Sequence, residues 1–331
     1  MTTTTPHGPP PAFDPEVAAA LEALMAQYGP SEDRPAVLST TSFDHIAVVR
    51  KAIQHVVPSD EELRRDGLIE LEDRAVSDDV SVLVARPAGL RTPKAGIYFL
   101  HGGGMIMGNN RFGLPEILDW AVELDLVVIS VEYRLAPEHQ HPVPVEDCYS
   151  GLLWTIEHAT ELGFAPERLV IAGSSAGGGL AAATTQLARD RGGPMPAGQL
   201  LMAPMLDDRN ATPSAHQMAG LGVWDRESNE LGWSALLGEQ RGDADVSPYA
   251  AAARAADLSG LPPAFIDVGS AETFRDEDVD YASRIWRAGG SAELHVWPGG
   301  FHGFEGIAPL AAISRSARSQ RVQWLRRILQ L

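Results

Sequence analysis

Leu169-Val-Ile-Ala-Gly-Ser-Ser-Ala-Gly-Gly178 is the stretch on which the reading of this chain turns. Leu169 to Ala172 are apolar without a break, as in a strand covered on both faces of a parallel sheet. Gly173 and Gly177 permit a turn tight enough to hold Ser175 in a strained conformation with its hydroxyl exposed. From Gly178 to Arg189 the chain is rich in helix formers and continues as the helix behind the turn. Alone, Gly-x-Ser-x-Gly is a short pattern that any glycine-rich loop can contain. Strand, sharp turn and helix together make it a candidate nucleophile elbow.

The surrounding chain repeats that rhythm. Residues 80–84 alternate like a half-exposed strand, and Ile97–Leu100 and Leu126–Val131 read as buried strands. Helical and strand patterns then follow in turn: helix 145–161, strand 169–172, helix 180–189, strand 199–202. The alternation resumes with strand 265–268, helix 276–288, strand 292–297 and a closing helix over 311–331. Such alternation predicts an α/β fold, a mostly parallel sheet with helices on both faces. Ahead of it, Asp14 caps a helix that begins at Pro15, carries Val17, Leu21, Leu24 and Met25 on one side, and stops at Gly29-Pro30. Phe43, Ile46, Val49 and Ile53 mark a second helix before Pro58. Residues 207–248 interrupt the rhythm and read as an insertion above the sheet, while the Thr- and Pro-rich residues 1–12 read as disordered.

Composition excludes several classes. The 331 residues hold 44 acidic and 26 basic side chains, a formal charge of −18, which argues against nucleic acid as a partner. The single cysteine, Cys148, rules out an internal disulfide and a cysteine-rich metal site, and its expected role is a buried structural thiol. The start of the chain lacks the basic and apolar regions of a signal peptide, and no run approaches the ~20 apolar residues of a membrane span. A cytoplasmic protein without a membrane partner is the expectation.

Three features fall at the ends of predicted strands, where open α/β sheets place their sites. His101-Gly-Gly-Gly104 follows a strand, and glycines there let backbone N–H groups approach a ligand, as an oxyanion hole requires. Gly102, Gly104 and Gly108 depart from dinucleotide-loop spacing and precede a poor helix start. Ser175 needs a base to take its proton. His302, in Phe301-His-Gly-Phe304 after the last strand, can supply it. Chain order then requires an acid between the two, and Glu272 and Asp276 are both candidates, whereas Asp267 lies inside a strand and Asp280 too far along a helix.

These blocks, with Tyr133-Arg-Leu-Ala-Pro-Glu-His139, resemble the hormone-sensitive lipase-like family of microbial carboxylesterases over roughly residues 70–330. The resemblance implies an α/β-hydrolase fold (residues 61–206 and 249–331) with a cap from residues 1–60 and the insertion 207–248. It implies Ser175 as nucleophile, His302 as general base, and Gly103, Gly104 and Ala176 as oxyanion-hole donors. His101 then organises its loop, and His139 and His295 are structural. Two departures stand out. Ser174 precedes the nucleophile where the family usually has Asp or Thr, and Glu272 opens the string that the family usually opens with Asp. Glu272 is therefore favoured as the acid over Asp276. Met105, Met107, Trp224 and Trp233 are candidates to line an acyl pocket. The expected activity is hydrolysis of short- to medium-chain acyl esters, with small-molecule esters as partners, no cofactor, no metal, and a homodimer suggested by the family. Competing expectations are a deacetylase or amidase of one metabolite, and a non-catalytic binding protein on the same fold. The plant hormone receptors that resemble this family have lost the histidine that this chain keeps as His302.

Overall fold

The computed structural model describes residues 7–28 and 42–331. Eight strands form one sheet: β1 (Ile69–Ala75), β2 (Ser81–Pro87), β3 (Ala95–Leu100), β4 (Leu126–Glu132), β5 (Leu169–Ser174), β6 (Gly198–Met202), β7 (Ala264–Gly269) and β8 (Ala292–Trp297). Their order across the sheet is β1-β2-β4-β3-β5-β6-β7-β8. From β4 to β8 all neighbours are parallel; β2 runs antiparallel to both β1 and β4. The mostly parallel α/β sheet expected from the sequence is present.

Twelve helices accompany it among the described residues: α1 (Pro15–Tyr28), α2 (Phe43–Ile53), α3 (Asp60–Arg64), α4 (Leu114–Leu124), α5 (Val143–Glu157), α6 (Ala159–Leu162), α7 (Ala176–Asp190), α8 (Pro213–Gln217), α9 (Arg226–Leu237), α10 (Arg275–Arg287), α11 (Phe304–Ile307) and α12 (Ala312–Ile328). Two hydrophobic layers sandwich the sheet. Leu100, Ile171 and Leu201 pack toward α5 and α7 on one side, and Phe99, Ala172 and Leu200 toward α4 and α12 on the other. Alternate residues of a strand point to opposite faces, so covering both faces favours the largely apolar runs seen in β3 to β6, where Ser130 and Gln199 are buried polar exceptions.

Several local readings change. β2 does not alternate in exposure: Val82 and Val84 enter one layer and Leu83 and Ala85 the other, because both faces of the strand are covered. The half-exposed strand is instead β1, where Ile69 is buried and Glu70 exposed. The helix expected over 145–161 breaks at His158, whose Nδ1 lies 2.8 Å from the carbonyl of Trp154. Asp14 Oδ1 accepts from the N–H of Glu16 and so caps α1, while the expected stop at Gly29-Pro30 lies outside the described residues. Residues 1–6 also lie outside them. Residues 7–12, read as disordered, sit against α8, where Gln217 Nε2 donates to the carbonyls of His7 and Pro9. Cys148 is fully buried, and burial pushes its thiol pKa up, as a structural role requires. No helix among the described residues is long and apolar enough to cross a membrane.

Candidate active site

Parallel strands deliver their following loops to one edge. β3, β5, β7 and β8 therefore bring His101-Gly104, Ser175, Glu272 and His302 to the same side of the sheet. Register aligns their ends: Leu100 pairs with Gly173, and Gly269 with Trp297.

At the end of β5 the backbone turns into α7 through Ser175, which sits at φ 56°, ψ −122°. That conformation costs a non-glycine residue about 1–3 kcal/mol. Neighbouring bonds enforce it: the Ser175 N–H donates to the carbonyl of Met202, and the Ser175 carbonyl accepts from Gly179 and Met205. The positive φ falls on the serine itself. Gly173 and Gly177 are needed for a different reason, close approach. A Cβ on Gly173 would meet the Gly177 carbonyl at 2.1 Å, and one on Gly177 would meet that of Leu100 at 2.0 Å. Ala176 opens α7, so its N–H is among the helix donors with no intrahelical acceptor, at the positive end of the dipole.

Gly103 and Gly104 both have positive φ, 111° and 61°. The Gly103 carbonyl accepts from Ile106 and Met107, closing a tight turn. Gly102 packs against Ser174 and Ser175, which places the glycine loop beside the elbow. His101 is buried beneath it. Its ring stacks on Tyr133 at 4.2 Å, Nδ1 lies 2.8 Å from the Gly102 carbonyl, and the Tyr133 hydroxyl donates to the His101 carbonyl. Burial lowers the His101 pKa to about 4, so the ring is neutral at pH 7.

His302 Nδ1 lies 3.0 and 3.1 Å from the two carboxylate oxygens of Glu272, which is fully buried. Burial would depress the imidazole pKa, but the Glu272 carboxylate, aided by Glu305, outweighs it and raises the value above its ordinary one. Asp276 is engaged elsewhere: its carboxylate accepts from the Ser214 N–H at 2.8 Å and from Arg275. Asp267 is held by Trp297 and Arg321, and Asp280 lies near Arg287.

Of the four expected pocket residues, Trp224 reaches the site. A Cβ on Gly104 would strike its ring at 2.2 Å, and its ring centroid lies 6.5 Å from that of His302. Its position is fixed by buried polar groups: the Thr273 hydroxyl donates to its carbonyl, and its indole N–H donates to Asn229, which in turn donates to Asn210. Met107 is half-buried beside Gly103. Met105 and Trp233 are wholly buried in the core. Thr273 was invisible to sequence reasoning, although it directly follows Glu272.

The sheet order, the serine turn and the buried His–Glu pair define the chain's class as an α/β hydrolase. A family model described as the alpha/beta hydrolase fold matches residues 97–306. The chain is 36% identical over 270 residues to carboxylesterase NlhH of Mycobacterium tuberculosis, spanning 80% of this chain and 83% of that protein. The structure of a bacterial heroin esterase superposes with a TM-score of 0.85 at 36% identity, covering 96% of this chain and 98% of the other. Esterase LipW of Mycobacterium marinum gives 0.83 at 30% identity, covering 98% and 99%. The chain belongs to the hormone-sensitive lipase-like family of α/β-hydrolase carboxylesterases, and it is a carboxylic ester hydrolase.

Proposed function

We propose that the protein hydrolyses short- to medium-chain acyl esters of small molecules through an acyl-enzyme. Ser175 Oγ attacks the ester carbonyl while His302 takes its proton, and Glu272 holds the imidazole in the useful tautomer. The N–H groups of Gly103, Gly104 and Ala176 stabilise the tetrahedral oxyanion. The alcohol leaves with the proton from His302, and water then releases the acid by the same route. The reaction needs no metal or cofactor.

The observation that carries this reading is the pairing of part-buried His302 with fully buried Glu272 on the sheet edge that also bears the strained Ser175. Trp224, whose ring stands against Gly104 and 6.5 Å from the ring of His302, is the side chain we take to bound the acyl group, hence shorter acyl chains. We read α1, α2 and residues 207–248 as the cap over that pocket. The homodimer implied by the family is tested by sedimentation velocity.

Hydrolysis of p-nitrophenyl acetate, butyrate, octanoate and palmitate by wild type and Ser175→Ala tests the proposal. The expected result is activity that fades beyond octanoate and falls ~10⁴–10⁶-fold in the variant. Activity that survives loss of Ser175 would remove it from the nucleophile role, and a preference for palmitate would overturn the pocket reading.

A further inference from the structure

Arg50 projects from α2 onto the backbone of two other segments. Its Nε donates to the Ile106 carbonyl at 2.6 Å and its Nη2 to the Ala136 carbonyl at 2.7 Å. The same guanidinium grips Glu138 at 2.7 and 2.8 Å, and Arg50 draws the Glu138 pKa down to about 2. As an ion pair this is worth little, because Glu138 is more than half exposed. The two carbonyls are the informative partners.

Ile106 lies in the turn that Gly103 closes by accepting from Ile106 and Met107. The carbonyl of the preceding Met105 accepts from the Ala136 N–H at 2.9 Å. Arg50 therefore binds the Ile106 carbonyl on one side and the Ala136 carbonyl on the other, tying the glycine loop, the Tyr133–His139 segment and α2 through one planar group. Five donors in a fixed fork suit that task, and a lysine cannot reproduce it. The loop needs such a tie. Gly103 and Gly104 have wide backbone freedom, yet oxyanion donors must be preorganised where the charge develops.

We propose that Arg50 is a positioning residue for the oxyanion hole, holding the Gly103–Gly104 backbone through the carbonyls of Ile106 and Ala136. The inference rests on the hydrolytic reading above. It makes cap and catalytic loop one unit, so that seating of α2 sets the catalytic rate as well as access to the site.

The test compares Arg50→Met, Arg50→Lys and Glu138→Gln with wild type on p-nitrophenyl butyrate, with the inhibition constant of an aryl trifluoromethyl ketone measured in parallel. Such a ketone adds to the serine as a hemiketal whose oxyanion occupies the hole, so its affinity reports donor placement. Expected for Arg50→Met is a fall in kcat of about tenfold or more, a fraction of the ~10²–10³ lost with a whole donor. KM should stay within about twofold, and ketone affinity should weaken in proportion to kcat/KM. Arg50→Lys should recover only part of the loss. Glu138→Gln, which leaves both carbonyl bonds in place, should lose less than about threefold. A loss confined to KM or to melting temperature, with ketone affinity unchanged, would reduce Arg50 to a staple for α2 and overturn the inference. If Arg50→Met does not fold, the same readouts on Arg50→Lys decide. Failure of the hydrolytic reading is separate: it appears in Ser175→Ala, whatever Arg50 does.

Discussion

Arg321 on α12 is 2% exposed and lies among three acids, with Asp267 at 2.9 Å, Glu116 at 3.0 Å and Glu305 at 2.9 Å. Glu277 and Asp278 on α10 are as deeply buried and make no ion pair among the described residues: one Glu277 oxygen accepts from the N–H groups of Leu206 and Asp207, and the other Glu277 oxygen and both Asp278 oxygens have no hydrogen-bond partner there. Arg209, bound to Asp207, acts on Glu277 only through its charge. The two groups reach the site from different quarters. Glu305 acts on His302, while Glu277 and Asp278 feel the charge of Glu272. The difference lies in how burial is compensated. A guanidinium cannot shed its charge, so the Arg321 group is a fixed ionic knot joining α4, β7, α11 and α12. Even there Arg321, with Arg318 at 3.6 Å from Glu116, does not satisfy all three acids. Burial raises the Asp267 and Glu116 pKa values, whereas for Glu305 the guanidinium outweighs burial and lowers it. Glu277 and Asp278 are raised well above the ordinary range, by burial first and by neighbouring charges second, Asp207 and Glu272 at Glu277 and Glu277, Glu272 and Asp267 at Asp278, so burial there favours the protonated form instead. Glu272 has a different partner, the His302 imidazole at 3.0 Å.

The largest effect should therefore follow removal of charge from Glu272. Glu272→Gln is expected to lower kcat by about 10⁴, as when a triad acid is neutralised and the wrong tautomer results. The pH profile sharpens the point. Wild-type kcat/KM should fall as pH drops through a His302 pKa above 6.5. In the variant burial acts without the carboxylate, so the acid limb should move downward. Asp276→Asn, which perturbs a carboxylate bound to Ser214 and Arg275, should cost less than about threefold. If the two variants exchanged effects, Asp276 would be the acid. Next in size is Arg321→Met, which takes the guanidinium from Asp267 and Glu305 and leaves Glu116 with Arg318 at 3.6 Å. Urea unfolding should show a loss of about 3–5 kcal/mol, the usual penalty for breaking a buried pair from one side. A loss below about 1 kcal/mol would mean that the acids simply protonate, as on α10, and the contrast would fail.

Legibility in the sequence followed how local each cause is. The elbow was readable because an apolar run, Gly-x-Ser-x-Gly and a helix stand within twenty residues, and the strand ends followed from alternation. α4 carries Leu114, Ile117, Leu118, Ala121 and Leu124 at one-face helical spacing and is visible in hindsight. β1, Ile-Glu-Leu-Glu-Asp-Arg-Ala, is charged enough to pass for a loop, and its pairing with β2 supplies what its composition does not. β2 seemed half-exposed because the spacing of apolar residues cannot reveal that a second layer covers the other face. That His302 meets Glu272 and not Asp276 is a contact across thirty residues of chain, which no local pattern encodes. Arg50, Thr273 and Arg321 act through partners that only the fold assembles.

The smallest expected effect concerns Asp278. Its carboxyl has no hydrogen-bond partner among the described residues despite complete burial, and even at the favourable N-terminal end of α10 the loss of hydration prevails. Replacing it with alanine removes an unsatisfied polar group and should stabilise the fold by about 1–2 kcal/mol at pH 6. The pH dependence gives the sign. A carboxyl whose folded pKa is raised binds a proton more tightly in the native state than in the unfolded one. Its contribution is thus fully present below the unfolded pKa of about 3.9 and is lost as pH rises toward the folded value. The stability gap between Asp278→Ala and wild type should consequently widen in urea titrations as pH rises above about 4 toward the folded value. Glu277 titrates in the same direction and keeps some alkaline decline in both proteins. A gap that stays constant with pH would show that Asp278 is already ionised within the core, and the difference between the α10 acids and the Arg321 knot would then lie in packing rather than in charge.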